Sequence, residues 1–235
     1  MHISKSPAFP ALPLACRQRN KAAIRMANPD DSFETHARAQ GYLRIAGVDE
    51  VGRGPLAGPV TAAAVVLDLR AIPSGLNDSK KLGAKKREAL DKVIHHQADV
   101  SIAHATVEEI DKVNILRASH LAMERAVAGL DPPPDYLLID GNMIPAGLTI
   151  PALALVRGDG RSVSIAAASI VAKICRDAIM VDLAQQHPGY GWETNMGYPT
   201  KCHTIALQNL GVTTHHRRSF KPVRNILYQD KSVSD

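Results

Sequence analysis

Hydrophobic positions along the chain change their period from two to nearly four, and the changes mark the elements. Leu43 to Val48 is apolar and predicts a strand. Val60 to Leu69, VTAAAVVLDL, predicts a second strand, and the turn formed by Pro55 to Pro59 between them predicts an antiparallel hairpin. Asn77 to Leu82 reads as a polar loop, Ala84 to His95 as a charged amphipathic helix, and Val100 to Val107 as a third strand. Glu108 to Asp111 predicts a helical turn, and Asn114 a cap for a longer helix from Ile115 to Ala128 that DPPP then ends. Tyr136 to Ile139 predicts a short buried strand running into Asp140 and Gly141. Ser162 to Gln186 predicts a long alanine-rich helix stopped at Pro188 and Gly189, and Thr200 to Leu210 another helix. Strands come early and helices late, without strict alternation or internal repeat. That order predicts an α/β domain on a mixed sheet.

Composition narrows the picture. The chain has 235 residues, which suits one domain with loose ends, and 45% of them are hydrophobic. Only 4% are aromatic, so the core must be built from aliphatic side chains and alanine. A net charge of +5 leans mildly toward a polyanionic partner. Cys16, Cys175 and Cys202 are far apart and odd in number, with no CxxC pair, which argues against a zinc knuckle or disulfide framework; a reduced, cytoplasmic setting is expected. No apolar run approaches the length of a membrane span, so no membrane partner is expected. Residues 1 to 40 read as a poorly ordered leader. Their stretch AFPALPLAC is interrupted by two prolines and followed by basic RQRNKAAIR, unlike an export signal, and Met26 offers an alternative start. The domain is expected over 41–225, with a flexible tail over 226–235.

The candidate chemistry begins at DEVGRGPLAGPV. Gly52 to Ala57 formally matches the GxGxxA pattern of dinucleotide binding, with Asp68 placed as a ribose-binding acid. Three features oppose an oxidoreductase of that kind. Pro59 falls where the phosphate-binding helix would run, the residues after it look like strand, and Asp49 and Glu50 would face a pyrophosphate. The carboxylates suggest a metal instead. Asp49 and Glu50 follow IAGV, Asp140 follows YLLI, and Asp177 lies within apolar ASIVAKICRDAIMV. Such acids are costly if buried without partners. Brought together, they suit a hard cation such as Mg²⁺ or Mn²⁺, and two such ions can clamp a phosphodiester. Ser169, Lys173 and Asp177, spaced by four, form a polar stripe on the long helix. The plainer readings are a Lys173–Asp177 salt bridge on a solvated face and a simple strand-ending turn at Asp140-Gly141. Adjacent strand residues face opposite ways, so one site shared by Asp49 and Glu50 predicts that the strand breaks at Glu50, with Gly52 and Gly54 supplying the break.

The ordered set DEVGRGPLAGPV, NDSKKL, LIDG, AAASIVAKICRD and MGYPTKCH closely resembles the bacterial ribonuclease HII family, over about residues 43 to 224. The resemblance implies an RNase H-like fold, a mixed five-stranded sheet flanked by helices with a helical C-terminal part. It implies a metal-dependent endonuclease that cuts the RNA strand of RNA–DNA hybrids and nicks duplex DNA 5′ of an embedded ribonucleotide, leaving 3′-hydroxyl and 5′-phosphate ends. It implies a two-metal site using Mg²⁺ or Mn²⁺, with Asp49, Glu50, Asp140 and Asp177 as catalytic ligands. Gly52, Arg53 and Gly54 then match the loop that contacts the ribose 2′-OH, the group that distinguishes RNA from DNA. Tyr198 matches a tyrosine that stacks on the following deoxyribose. Lys80 and Lys81 are placed to approach phosphates, and Ser169 and Lys173 to support the site or contact phosphate. His203 matches a family histidine to which no role is assigned. Met196 departs from the pattern, standing where that family often has lysine. The basic stretch HHRRSFKPVR is read either as a nucleic-acid contact or as a solvated end. A hybrid-binding module without turnover is the competing class, disfavoured because four carboxylates facing phosphates weaken binding. A monomer is expected.

Overall fold

The computed structural model describes residues 28–229. Its centre is one five-stranded sheet in the order β3-β2-β1-β4-β5, formed by β1 (Ile45–Val51), β2 (Val60–Leu67), β3 (Ala98–Ala105), β4 (Tyr136–Asp140) and β5 (Ala152–Leu155). β1 to β3 form an antiparallel meander, with Asp49 opposite Ala63 and Ala63 opposite Ile102. β1, β4 and β5 run parallel, with Val48 beside Ile139 and Ile139 beside Ala154. The sheet is therefore mixed, and its parallel half ends at one edge with Asp49 and Asp140.

Helices cover both faces. On one face α4 (Ile115–Ala128) sets Ala118, Ala122, Met123 and Ala126 against Ala46, Val48, Ala62, Ala64, Leu137 and Ile139. On the other, α2 (Ala84–Gln97) and α5 (Val163–Gln186) enclose Ala63 and Val65 with Leu90, Ile94, Ala167, Ile170 and Val171. The core is aliphatic and alanine-rich, as the low aromatic content requires. Small residues allow close layers. At Gly47 a Cβ would lie 2.1 Å from the Ser164 carbonyl carbon, so α5 crosses β1 almost backbone to backbone. α3 (Val107–Val113) opens with a capping box between Thr106 and Glu109, and Asn114 caps α4 by accepting from the amides of Leu116 and Arg117.

Three expectations need correction. The first strand starts later and runs further than its apolar residues suggest, and β5 was not foreseen because ALAL is only four residues long. The leader cannot extend to residue 40. α1 (Ser32–Ala39) buries Ala37, and Glu34 accepts hydrogen bonds from the Ser162 hydroxyl and the Ser164 amide at the start of α5. The tail cannot begin at 226 either, because α8 (Lys221–Gln229) packs through buried Val223. Cys16 and Met26 lie outside the described residues; Cys175 and Cys202 are free thiols. Short α6 (Trp192–Asn195) and α7 (Lys201–Leu210) complete the C-terminal part. Among the described residues no helix is long and apolar enough to cross a membrane.

Candidate active site

The parallel pairing of Val48 with Ile139 carries the next residue of each strand, Asp49 and Asp140, to adjacent ends of β1 and β4. β1 does not break at Glu50. Its pairing continues through Glu50 with Ala62 and Val51 with Thr61. The expected break is absent, and both acids lie on β1 beside the place where β4 stops at Asp140. The charge of Asp140 reaches both of them. Asp49 is buried, and burial pushes its carboxyl well above the usual carboxylate range, reinforced by Asp140, Glu50 and Asp159. One Asp49 oxygen accepts from the Glu50 amide at 2.7 Å. Glu50 is also raised, first by burial; Arg53, 3.3 Å away, pulls in the opposite direction.

Asp159 was not singled out from sequence, and it belongs to this group. It lies in a 3-10 turn, Gly158–Gly160, whose Gly158 amide donates to Asp140 at 2.6 Å. Burial and the charges of Asp140 and Asp78 push Asp159 up to about 6, against the pull of Lys80. The flanking glycines were the available signal: at Gly158 a Cβ would stand 2.6 Å from the Ile165 side chain, so the turn presses against α5. Lys80 faces the same acids. Burial works to lower its pKa, and Asp49, Asp159, Asp78 and Asp140 outweigh it, so the net shift is upward.

Asp177 is placed differently. It is ion-paired with Lys173 at 2.6 Å, and both side chains are largely buried, about one-fifth exposed, so this pair does not sit on a solvated face. Among the described residues no three acidic, histidine or cysteine side chains close around one point as ligands of an ion. The donor chemistry nevertheless fits a hard cation. Asp49, Glu50, Asp140 and Asp159 offer only oxygen and carry more negative charge than Lys80 and Arg53 offset. Ser169 is buried and donates to the Ser79 hydroxyl at 2.7 Å. Through that bond it braces the Ser79–Lys81 turn. Lys81 is exposed, with its ammonium 3.8 Å from where a Gly160 Cβ would be.

The glycine loop continues directly from β1. Gly52 has φ +97°, and a Cβ there would meet the Arg176 side chain at 2.2 Å, so only glycine fits. Two fully buried arginines hold the loop from inside. Arg217 donates to the carbonyls of Gly52, Arg53, Pro55, Gly58 and Pro59, and Arg176 to those of Ala57, Pro59 and Met196. Neither has a carboxylate ion-pair partner among the described residues. Burial lowers Arg217 to about 9 and Arg176 to about 10. The stretch HHRRSFKPVR is thus neither a solvated end nor wholly a nucleic-acid contact, because His216 and Arg217 are core residues. With the carbonyls drawn inward, the amides of Arg53 and Gly54 have no hydrogen-bond partner among the described residues, and both residues are exposed. The ring of Tyr198 flanks this spot, 3.3 Å from where a Gly54 Cβ would lie.

A family model described as Ribonuclease HII matches residues 46–223. A Ruegeria pomeroyi protein named Ribonuclease HII is 73% identical over 205 residues, covering 87% of this chain and 88% of that protein. The crystal structure of ribonuclease H2 from Pyrococcus horikoshii aligns with a TM-score of 0.69 and 27% identity, covering 80% of this chain and 99% of that one. The crystal structure of Bst-RNase HIII in complex with Mn²⁺ aligns with a TM-score of 0.66 over 83% of this chain and 73% of that one; at 19% identity it speaks for the fold alone. The architecture is that of the RNase H-like fold.

Proposed function

The chain belongs to the ribonuclease HII family and is an endonuclease of RNA in RNA–DNA hybrids, and from that premise we propose that it also nicks duplex DNA 5′ of an embedded ribonucleotide, as in ribonucleotide excision repair. The observation that carries this reading is adjacency. Asp49 and Glu50 are separated by one residue, Val51, from a loop whose Arg53 and Gly54 amides are unengaged and exposed. Those amides can donate to a ribose 2′-OH, a partner that deoxyribose lacks. Tyr198 supplies an exposed ring beside the loop for the next sugar, and exposed Lys81 a cation for a phosphate.

The enzyme is metal-dependent, as its family is; Mg²⁺ or Mn²⁺, two per site, is the finer reading. Asp49, Glu50, Asp140 and Asp177 would hold the ions, with Lys173 occupying one oxygen of Asp177. Bound there, divalent ions supply activation of the attacking water and neutralisation of charge on the leaving 3′-oxygen. The protein's own part is to hold the acids at fixed strand ends and to fix the sugar beside them. No side-chain nucleophile is needed: water adds to phosphorus and the bond to the 3′-oxygen breaks, so the products carry 3′-hydroxyl and 5′-phosphate ends. One chain provides both acids and loop, so a monomer suffices.

The test is a DNA duplex carrying one ribonucleotide, incubated with Mg²⁺, Mn²⁺ or chelator beside an all-DNA duplex. A metal-dependent nick 5′ of the ribonucleotide, absent from all-DNA, is expected. Cleavage of a uniform hybrid without that nick would reject the repair reading, and binding without any cleavage would favour the inactive module.

A further inference from the structure

We propose that His203 and His216 are positioning residues that set the enzyme's preference for an RNA-to-DNA junction by holding the backbone of Tyr198; this rests on the reading of Tyr198 as the sugar-contacting side chain. Both histidines are fully buried, and their hydrogen bonds fix their tautomers without any assumption about pH. The Trp192 indole N–H can only donate, and it meets His203 Nε2 at 3.0 Å. That nitrogen is therefore an acceptor, and the proton sits on Nδ1, which donates to the Tyr198 carbonyl at 3.0 Å. At the other end the Thr213 amide, also an obligatory donor, meets His216 Nδ1 at 3.0 Å. The His216 proton is then on Nε2, which donates to His203 Nε2 at 3.2 Å. The one lone pair of His203 Nε2 is shared between the Trp192 and His216 donors, His216 Nδ1 also meets the Thr213 hydroxyl at 2.9 Å, and the relay ends on Tyr198.

The end point matters because three successive carbonyls are held by three different elements. Met196 accepts from Arg176 of α5, Gly197 from the Leu56 amide of the glycine loop, and Tyr198 from His203 of α7. The Tyr198 carbonyl accepts from the Thr200 amide as well, at 2.8 Å. Tyr198 is 39% exposed and its ring lies beside Gly54, so its place over the loop depends on its backbone. Burial, with the charge of His203 next, depresses His216 to about 3, so the relay stays neutral at working pH.

The experiment uses the full chain with Tyr198→Ala, His203→Asn and His203→Gln. It measures kcat/KM for a duplex with one ribonucleotide relative to a uniform RNA–DNA hybrid. Asparagine places its amide N–H where Nδ1 was, whereas glutamine reaches only the Nε2 position. Tyr198→Ala is expected to lower the ratio about tenfold or more, His203→Gln to lower it severalfold, and His203→Asn to keep it within about twofold of wild type. An unchanged ratio in Tyr198→Ala would sink the reading of Tyr198 itself. A lowered ratio there, with wild-type ratios in both His203 variants, would overturn the inference alone. Imidazole ¹⁵N spectra of the wild-type protein test the relay without any variant: Nδ1–H on His203 and Nε2–H on His216 are expected, and any other tautomer pair overturns it.

Discussion

The acid side and the loop side of the site solve opposite problems. At the ends of β1 and β4, carboxylates crowd one another, and Asp49, Glu50 and nearby Asp159 are pushed upward, because burial and like charge both disfavour ionisation. Around the glycine loop, two buried guanidiniums make eight hydrogen bonds to backbone carbonyls and, among the described residues, no ion pair with a carboxylate, and their pKa values fall. In the proposed function, cations complete the first arrangement. The second is complete as it stands, with rigid geometry as its product. In that reading, chemistry and recognition are separated, with Val51 between them.

The largest effect expected from breaking this contrast is on the acid side. Asp49→Asn should lower turnover by ~10³-fold while leaving the thermal midpoint unchanged or higher, since it removes one of the crowded charges. Steady-state nicking and a melting curve in chelator check both halves; lost activity accompanied by lost stability would mean the acids are structural. Next comes the loop side. Arg217→Met leaves several buried carbonyls without a donor and should cost about 3 kcal/mol or more in urea unfolding, at roughly 1–3 kcal/mol per orphaned group. A neutral result would mean that water replaces the guanidinium and the loop is not held rigid.

The smallest effect separates the two sides by pH. Asp159 has a folded pKa of about 6, above its unfolded value, so falling pH relieves its strain and favours folding between about 6 and 4. His216 has a folded pKa of about 3, below its unfolded value, so falling pH through about 6 toward 3 disfavours folding. Asp159→Asn removes the first contribution only. Its stability in chelator should therefore fall more steeply with acidification than wild type, by at most ~1.4 kcal/mol per pH unit for one proton. Parallel stability profiles would show that Asp159 is not crowded.

The hairpin of β1 and β2, the helix capped by Asn114 and the long helix α5 were legible because each is a local pattern with its own punctuation. β5 and α1 were not, since ALAL and SFETHARA are stable only where other elements wait to pair with them. Asp49, Glu50 and Asp140, at the ends of apolar runs, and Asp177, within one, stood out in the sequence as acids costly to bury without partners. Asp159 was hidden because a lone acid between glycines in RGDG reads as a turn.

The sequence by itself determined the periodicities, the aliphatic core, the acids and glycines in their order, and through their spacing the family. Tertiary structure alone decided that β1 stays unbroken past Glu50, that Arg217 leaves a basic stretch to become a core residue, and that the Lys173–Asp177 pair is largely buried rather than solvated. The division has a physical basis. Propensity and patterning act over a few residues, whereas the burial of a charge and the partner it finds depend on segments far apart in the chain, as when Arg217 meets the carbonyl of Gly52.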